Sequence, residues 1–297
     1  MKNKILLAVV VILIPIVVIS FRLKTNFKME EEEPKKEEIY VNYNDTLLLL
    51  DDYVYHVVAA EMPASFESEA IKAQILATRT YTLNKINKNK DFVFTKTLQA
   101  FQEDDELKQK WADDYDKYAT KIKELIEETK DEIITYDDSP IEAYYFSMSN
   151  GKTTNAETVF GENKDYLQGV DSSLEDSSLN NFTVKKKIPL KEFSQILELE
   201  LPIVIGDIKK DTSNRVLEII INNKSFSGID IRKKLNLRST DFTFAIEENE
   251  IIVTTNGYGH GVGLSQYGAN LMAKEGYKYQ DIIKKYYTGV EIKKIYD

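Results

Sequence analysis

Two segments of this 297-residue chain hold residues whose types and spacing could do chemistry. In the first, the apolar run Val57-Val-Ala-Ala ends on Glu61 and meets Met62–Pro63–Ala64. A carboxylate flanked by Ala59, Ala60 and Met62 would be partly desolvated, and desolvation raises a carboxyl pKa. A carboxylic acid that keeps its proton near neutral pH can serve as a general acid. The plainer reading of Glu61 is a solvated group at a helix end. In the second segment, Asn256-Gly-Tyr-Gly-His-Gly-Val-Gly-Leu-Ser-Gln-Tyr-Gly268, five of the twelve glycines gather around His260. That much backbone freedom suggests a loop presenting His260 and Gln266 to a cleft, although a tight turn on the core would share the pattern. A third feature is cationic. Lys72 and Arg79 stand seven positions apart, on one helical face near Gln74, and could hold a ligand or simply pair with surface acids.

Composition removes other chemistries. There is no cysteine, so thiolate catalysis and Cys-built metal sites are excluded. His56 and His260 are the only histidines, and no HExxH pair occurs. The net charge of −10, from 49 acids and 39 bases, argues against a nucleic-acid footprint. The glycine spacing fits neither G-x-G-x-x-G nor a P-loop, and there is no G-x-S-x-G elbow for a serine hydrolase.

The elements that must position these groups follow from pattern. Residues 5–21 are apolar and uncharged, the short end of what spans a bilayer, and predict an N-terminal membrane helix within an anchor over 1–28. The charged residues 29–39 predict a solvated stalk, and 40–297 one α+β catalytic unit. Within it the spacing predicts helices ending at Glu61, over 67–88, over 105–129, and near 190–199, 230–235, 265–274 and 279–287. Strands are predicted at 132–136, 141–147, 182–188, 216–221, 242–247 and 251–255. The polar stretch 148–182 reads as a long functional loop.

Several segments together resemble the stage II sporulation protein D family. They are Tyr53-Val-Tyr-His-Val-Val-Ala-Ala-Glu-Met-Pro-Ala-Ser-Phe66, Glu69-Ala-Ile-Lys-Ala-Gln-Ile-Leu-Ala-Thr-Arg-Thr-Tyr81, Ile141-Glu-Ala-Tyr-Tyr-Phe-Ser-Met-Ser-Asn-Gly-Lys-Thr153, Leu237-Arg-Ser-Thr240 and Gly259-His-Gly-Val-Gly-Leu-Ser-Gln-Tyr-Gly-Ala269. The resemblance implies a peptidoglycan lytic transglycosylase, active on glycan strands stripped of stem peptides during forespore engulfment. A glycan-binding module that activates a partner amidase is the alternative.

The family's catalytic acid falls on Glu61. Substrate contacts would come from Lys72, Gln74, Arg79, Ser147, Ser149, His260, Gln266 and Tyr267, around a central glycan-binding cleft. Where the family usually has Tyr-His-Ser-Thr/Cys-Ser-Gly-Gly, this chain has Tyr145-Phe-Ser-Met-Ser-Asn-Gly151. Phe146 and Met148 thus replace the residues associated with zinc in some relatives, and no metal or cofactor is expected. The implied partners are an amidase/endopeptidase and a multispanning membrane protein of an engulfment complex. The implied location is the cell membrane, single-pass, with the catalytic unit extracytoplasmic.

Overall fold

The computed structural model describes residues 38–296. Asn44 and Asp45 take φ of 46° and 65°, the conformation a two-residue hairpin turn requires. They join β1 (Tyr40–Tyr43) to β2 (Thr46–Leu49). The chain passes directly into α1 (Leu50–Glu61), which ends where Pro63 disfavours helix at Met62. The next helix, α2 (Ser68–Lys88), is the axis of the fold, and residues 73–84 are buried without a break. A helix covered on every side has no single apolar stripe. One side of α2 joins the core of α1 through Ile71 and Ile75. Its Ala73, Leu76 and Ala77 belong to a second core.

The two-residue β3 (Val93–Phe94) pairs in parallel with β1. The single helix expected over 105–129 is two, α3 (Asp104–Trp111) and α4 (Tyr115–Glu128). Ala112, at φ 46°, breaks the run. Asp113 and Asp114 then stand at the start of α4, where acids suit a helix N-terminus.

The expected hairpin is also shorter. β4 (Glu132–Tyr136) turns through Asp137 and Asp138 into β5 (Ser139–Pro140), where proline, lacking an N–H, limits the ladder. The chain then leaves that sheet. β6 (Tyr145–Phe146) pairs with a strand more than a hundred residues later, and α5 (Ala156–Phe160) interrupts the polar loop.

The strand-rich part contains β7 (Thr183–Pro189), α6 (Leu190–Leu197), β8 (Ile205–Lys210), β9 (Val216–Ile221), β10 (Lys224–Ser227), α7 (Gly228–Lys234), β11 (Phe242–Glu247) and β12 (Glu250–Asn256). Two antiparallel sheets, ordered β10-β9-β8 and β11-β12-β7, share a third core around Phe193, Ile219, Phe242 and Val253. The exposed edge strand β8 carries Gly206, Asp207 and two lysines, which hid it from periodicity.

The chain closes with β13 (Leu264–Ser265), α8 (Gln266–Lys274), α9 (Tyr279–Tyr286) and β14 (Glu291–Lys294). β13 is the parallel partner of β6, and β14 pairs with β4.

The architecture expected from sequence, a membrane helix leading into an α+β unit, needs correction. The described chain is a mixed α/β structure, and none of its helices is long and apolar enough to cross a membrane. Residues 5–21, on which that expectation rested, lie outside the described residues, as does nearly all of the charged stretch 29–39.

Candidate active site

Glu61 lies at the last turn of α1, half-buried, on the wall of a cleft of about 320 Å³. Tyr81 of α2 and Gln99 also line it, with Tyr144, Tyr145, Phe160 and His260. One Glu61 oxygen accepts from Ala100 N at 2.8 Å. Gln266 donates to the same carboxylate, and the Lys110 ammonium adds favourable charge. Burial outweighs these three and pushes the Glu61 carboxyl up from its ordinary range. Lys110 itself is tied to the end of α1, donating to Ala59 O at 2.9 Å and Ala60 O at 3.4 Å. Burial lowers its pKa.

A polar network runs behind the carboxylate. Gln266 Nε2 donates to Gln74 Oε1 at 3.3 Å, and Gln74 Nε2 to Thr78 Oγ1 at 3.1 Å. Gln99 Nε2 donates to Tyr145 Oη at 2.9 Å while Gln99 Oε1 accepts from Tyr53 Oη at 3.1 Å. Gln74 and Gln99 are each held at both oxygen and nitrogen, so these side chains are fixed before any ligand arrives. Burial and the nearby Glu61 charge raise the Tyr145 phenol well above its usual pKa. It therefore stays a neutral hydroxyl.

The glycine loop brings His260 to the lining of the same cleft. Gly257, Gly259, Gly261 and Gly263 all take positive φ, between 71° and 117°, which explains why glycine alternates there. The His260 ring packs against Tyr144, Phe146 and Phe160, at centroid distances of 6.1, 5.6 and 5.5 Å. Its Nδ1 accepts from Val262 N at 3.1 Å, and the ring also hydrogen-bonds the Tyr145 main chain. Burial, reinforced by the charges of Arg232 and Arg215, holds its pKa down at about 3. His260 is thus a neutral ring that offers the cleft a face rather than a proton.

The remaining expected site residues divide. Gln74 and Gln266 stand behind Glu61, buried. Tyr267 packs edge-on against Phe66 at 5.1 Å, and its N–H donates to Ser147 O at 3.0 Å. Ser149 is fully buried, with its N–H on Glu175 Oε1 at 2.8 Å and its Oγ accepting from Gly151 N. Phe146 and Met148 are buried too, and neither carries an imidazole, thiolate or carboxylate to ligate zinc.

Lys72 and Arg79 do not line the cleft. Both face the C-terminal end of α4, Lys72 paired with Glu128 at 2.7 Å. The fully buried Arg79 donates to Thr129 O at 2.8 Å, Glu132 O at 3.1 Å and Asp51 Oδ1 at 3.0 Å. Removing Arg79 would leave the Thr129 and Glu132 carbonyls without their donor, at ~1–3 kcal/mol for each buried group, a loss of stability that involves no substrate contact.

Sequence reasoning missed Gln99 and Lys110, which sit in stretches without a pattern. It also missed the cleft-lining aromatics Tyr144 and Phe160. The pair Tyr144–Tyr145, inside an otherwise informative segment, was the one available signal.

A family model described as stage II sporulation protein matches residues 43–136, which include Glu61 and all of α2. The stage II sporulation protein D of Bacillus subtilis (strain 168) is 41% identical over 254 residues, covering 82% of this chain and 74% of that protein. The chain belongs to the stage II sporulation protein D family. The Bacillus amyloliquefaciens protein of the same name is 38% identical over 275 residues, covering 88% of this chain and 80% of its own. More distantly, a Bacillus subtilis protein named amidase enhancer is 25% identical over 295 residues, 80% of this chain but 39% of that longer protein. This is a sporulation family.

Proposed function

We propose that this member of the stage II sporulation protein D family is a lytic transglycosylase that cleaves peptidoglycan glycan strands. The observation that carries the reading is Glu61: a half-buried carboxyl, raised in pKa, and the only carboxylate among the residues lining an aromatic cleft. Hydrolytic glycosidases usually work with two carboxylates flanking the bond, one of them to activate water or attack the sugar. One is enough when the nucleophile belongs to the substrate. Protonated Glu61 gives its proton to the leaving glycosidic oxygen as the C1–O bond of the muramoyl residue breaks. The 6-hydroxyl of the same sugar attacks C1, and its proton passes to the Glu61 carboxylate. A 1,6-anhydromuramoyl end forms, and Glu61 is again protonated for the next cycle. Holding the 6-hydroxyl against C1 makes the attack intramolecular. Tyr81, Tyr144, Phe160 and the His260 face supply ring surfaces for sugar stacking, and Gln99 with Tyr145 supplies polar contacts. No step needs a metal or cofactor.

The reading places the protein's work on the outer side of the membrane, where peptidoglycan lies, during engulfment. Partners there would be an amidase/endopeptidase and a membrane protein of the engulfment machinery. The similarity to an amidase enhancer favours a second reading, a glycan-binding module that activates an amidase. Mass spectrometry of peptide-free strands incubated with the full chain separates the two. Anhydro ends support the enzyme; unchanged strands, together with stimulation of an added amidase, support the module.

A further inference from the structure

The cleft continues past His260. A second recess of about 490 Å³ shares His260 and Phe160 with it, and carries Thr158, Ser227, Arg215 and Arg232 on its walls. Gly228 is what lets α7 seat against β9: a Cβ there would lie 1.9 Å from Val216 O. That close approach brings Arg232, on α7, to the recess that Arg215 enters from the start of β9.

Arg215 is 2% exposed, yet most of its hydrogen-bonding capacity is unused. Nη1 reaches Gly259 O at 3.4 Å, while Nε and Nη2 have no partner. The acids nearest in charge are already engaged. Asp211 accepts from Thr154 Oγ1 at 2.7 Å and from Ser213 Oγ at 2.8 Å. Asp241 accepts from Asn150 Nδ2 at 2.9 Å and Asn256 Nδ2 at 3.3 Å. Arg232 is half-buried and spends its Nε on Leu237 O at 3.4 Å. A buried cation with unmade bonds is costly. Arg215, with the half-buried Arg232 beside it on one recess, calls for an anion with paired acceptor oxygens, which the guanidinium fork fits.

A glycan strand offers mostly hydroxyls and amides. Its one anionic group is the lactyl carboxylate of the muramoyl residue, and that is free only where the stem peptide has been removed; elsewhere it is an amide. We propose that Arg215 and Arg232 form a carboxylate subsite that receives this free lactyl group and so reads whether a strand has been stripped. The subsite rests on the glycan reading of the cleft, and it makes the two arginines specificity determinants beside Glu61.

The test is calorimetric binding to the full chain carrying Glu61→Gln, which leaves strands intact. The two probes are peptide-free glycan with free lactyl carboxylates and the same glycan with them converted to methylamides. The methylamide strand should bind at least ~tenfold more weakly, the size of one charge-assisted contact. Adding Arg232→Met or Arg215→Met should drop the free-acid strand to the methylamide level. If Arg215→Met fails to fold, the half-buried Arg232 position carries the variant arm, and the strand comparison needs neither. Equal affinity for both strands, or discrimination that survives Arg232→Met, overturns the subsite and leaves the glycan reading standing. Failure to bind either strand overturns both.

Discussion

Two carboxylates of this chain, the half-buried Glu61 and the buried Glu175, share one electrostatic shift in different surroundings. Burial raises the pKa of each. Glu175 is 1% exposed and surrounded by donors: Ser149 N and Ser265 Oγ on one oxygen, both at 2.8 Å, and Ser172 Oγ on the other at 2.7 Å. It ties the polar loop of 148–182 to the start of α8. Glu61 receives fewer bonds and opens on the cleft. A raised carboxyl pKa therefore does not by itself mark a catalytic acid. What sets Glu61 apart is its place on the cleft wall, where Glu175 does not appear.

The contrast is broken most forcefully by exchanging each acid for its amide. Glu61→Gln should lower turnover of peptide-free glycan by ~10²–10⁴-fold, the range of a lost general acid, while the chain still folds. A folded variant with near-parent turnover, followed by release of anhydro products, would remove Glu61 from the mechanism. Glu175→Gln should instead act on stability. Its amide NH₂ would face hydroxyl and N–H donors, and each unsatisfied buried group costs ~1–3 kcal/mol. The denaturant midpoint should fall, with turnover per folded molecule changed far less than in Glu61→Gln. A catalytic loss in Glu175→Gln as deep as that of Glu61→Gln, at unchanged stability, would erase the distinction.

A third, smaller effect depends on pH. The His260 pKa falls from 6.5 to about 3 on folding. Its neutral form is favoured in the folded state, so its contribution to stability is complete above pH 6.5. That contribution is lost progressively as pH falls toward about 3. His260→Phe should flatten that part of the stability profile, read from thermal unfolding at several pH values; an unchanged slope would contradict it. The smallest effect is on Glu61 itself. The Gln266 hydrogen bond lowers its pKa, so Gln266→Leu should move the alkaline limb of kcat/KM to higher pH. A move to lower pH would show that Gln266 does not act through Glu61.

The local features of this site were legible where a rule is local. Glu61 beside Met62–Pro63, the alternating glycines around His260, and the last two helices all follow from short-range pattern. What escaped depends on the fold. β6 finds β13 across 118 residues, Leu264 opposite Tyr145 and Ser265 opposite Phe146, so the aromatic wall of the cleft could not be assembled from periodicity. Lys72 and Arg79 read correctly as sharing a helical face. What that face met was invisible: the C-terminal end of α4, through the Glu128 carboxylate for Lys72 and main-chain carbonyls for Arg79. Arg215 lies in a stretch with no motif at all. Its meaning comes only from what does not bond to it.

The central claim is that one carboxylate suffices because the substrate supplies the nucleophile. It is tested most directly by digesting peptide-free glycan with the full chain in heavy-oxygen water. The mechanism predicts anhydro ends carrying no heavy oxygen, since water takes no part in breaking the strand. Reducing ends labelled with heavy oxygen would show hydrolysis and contradict it.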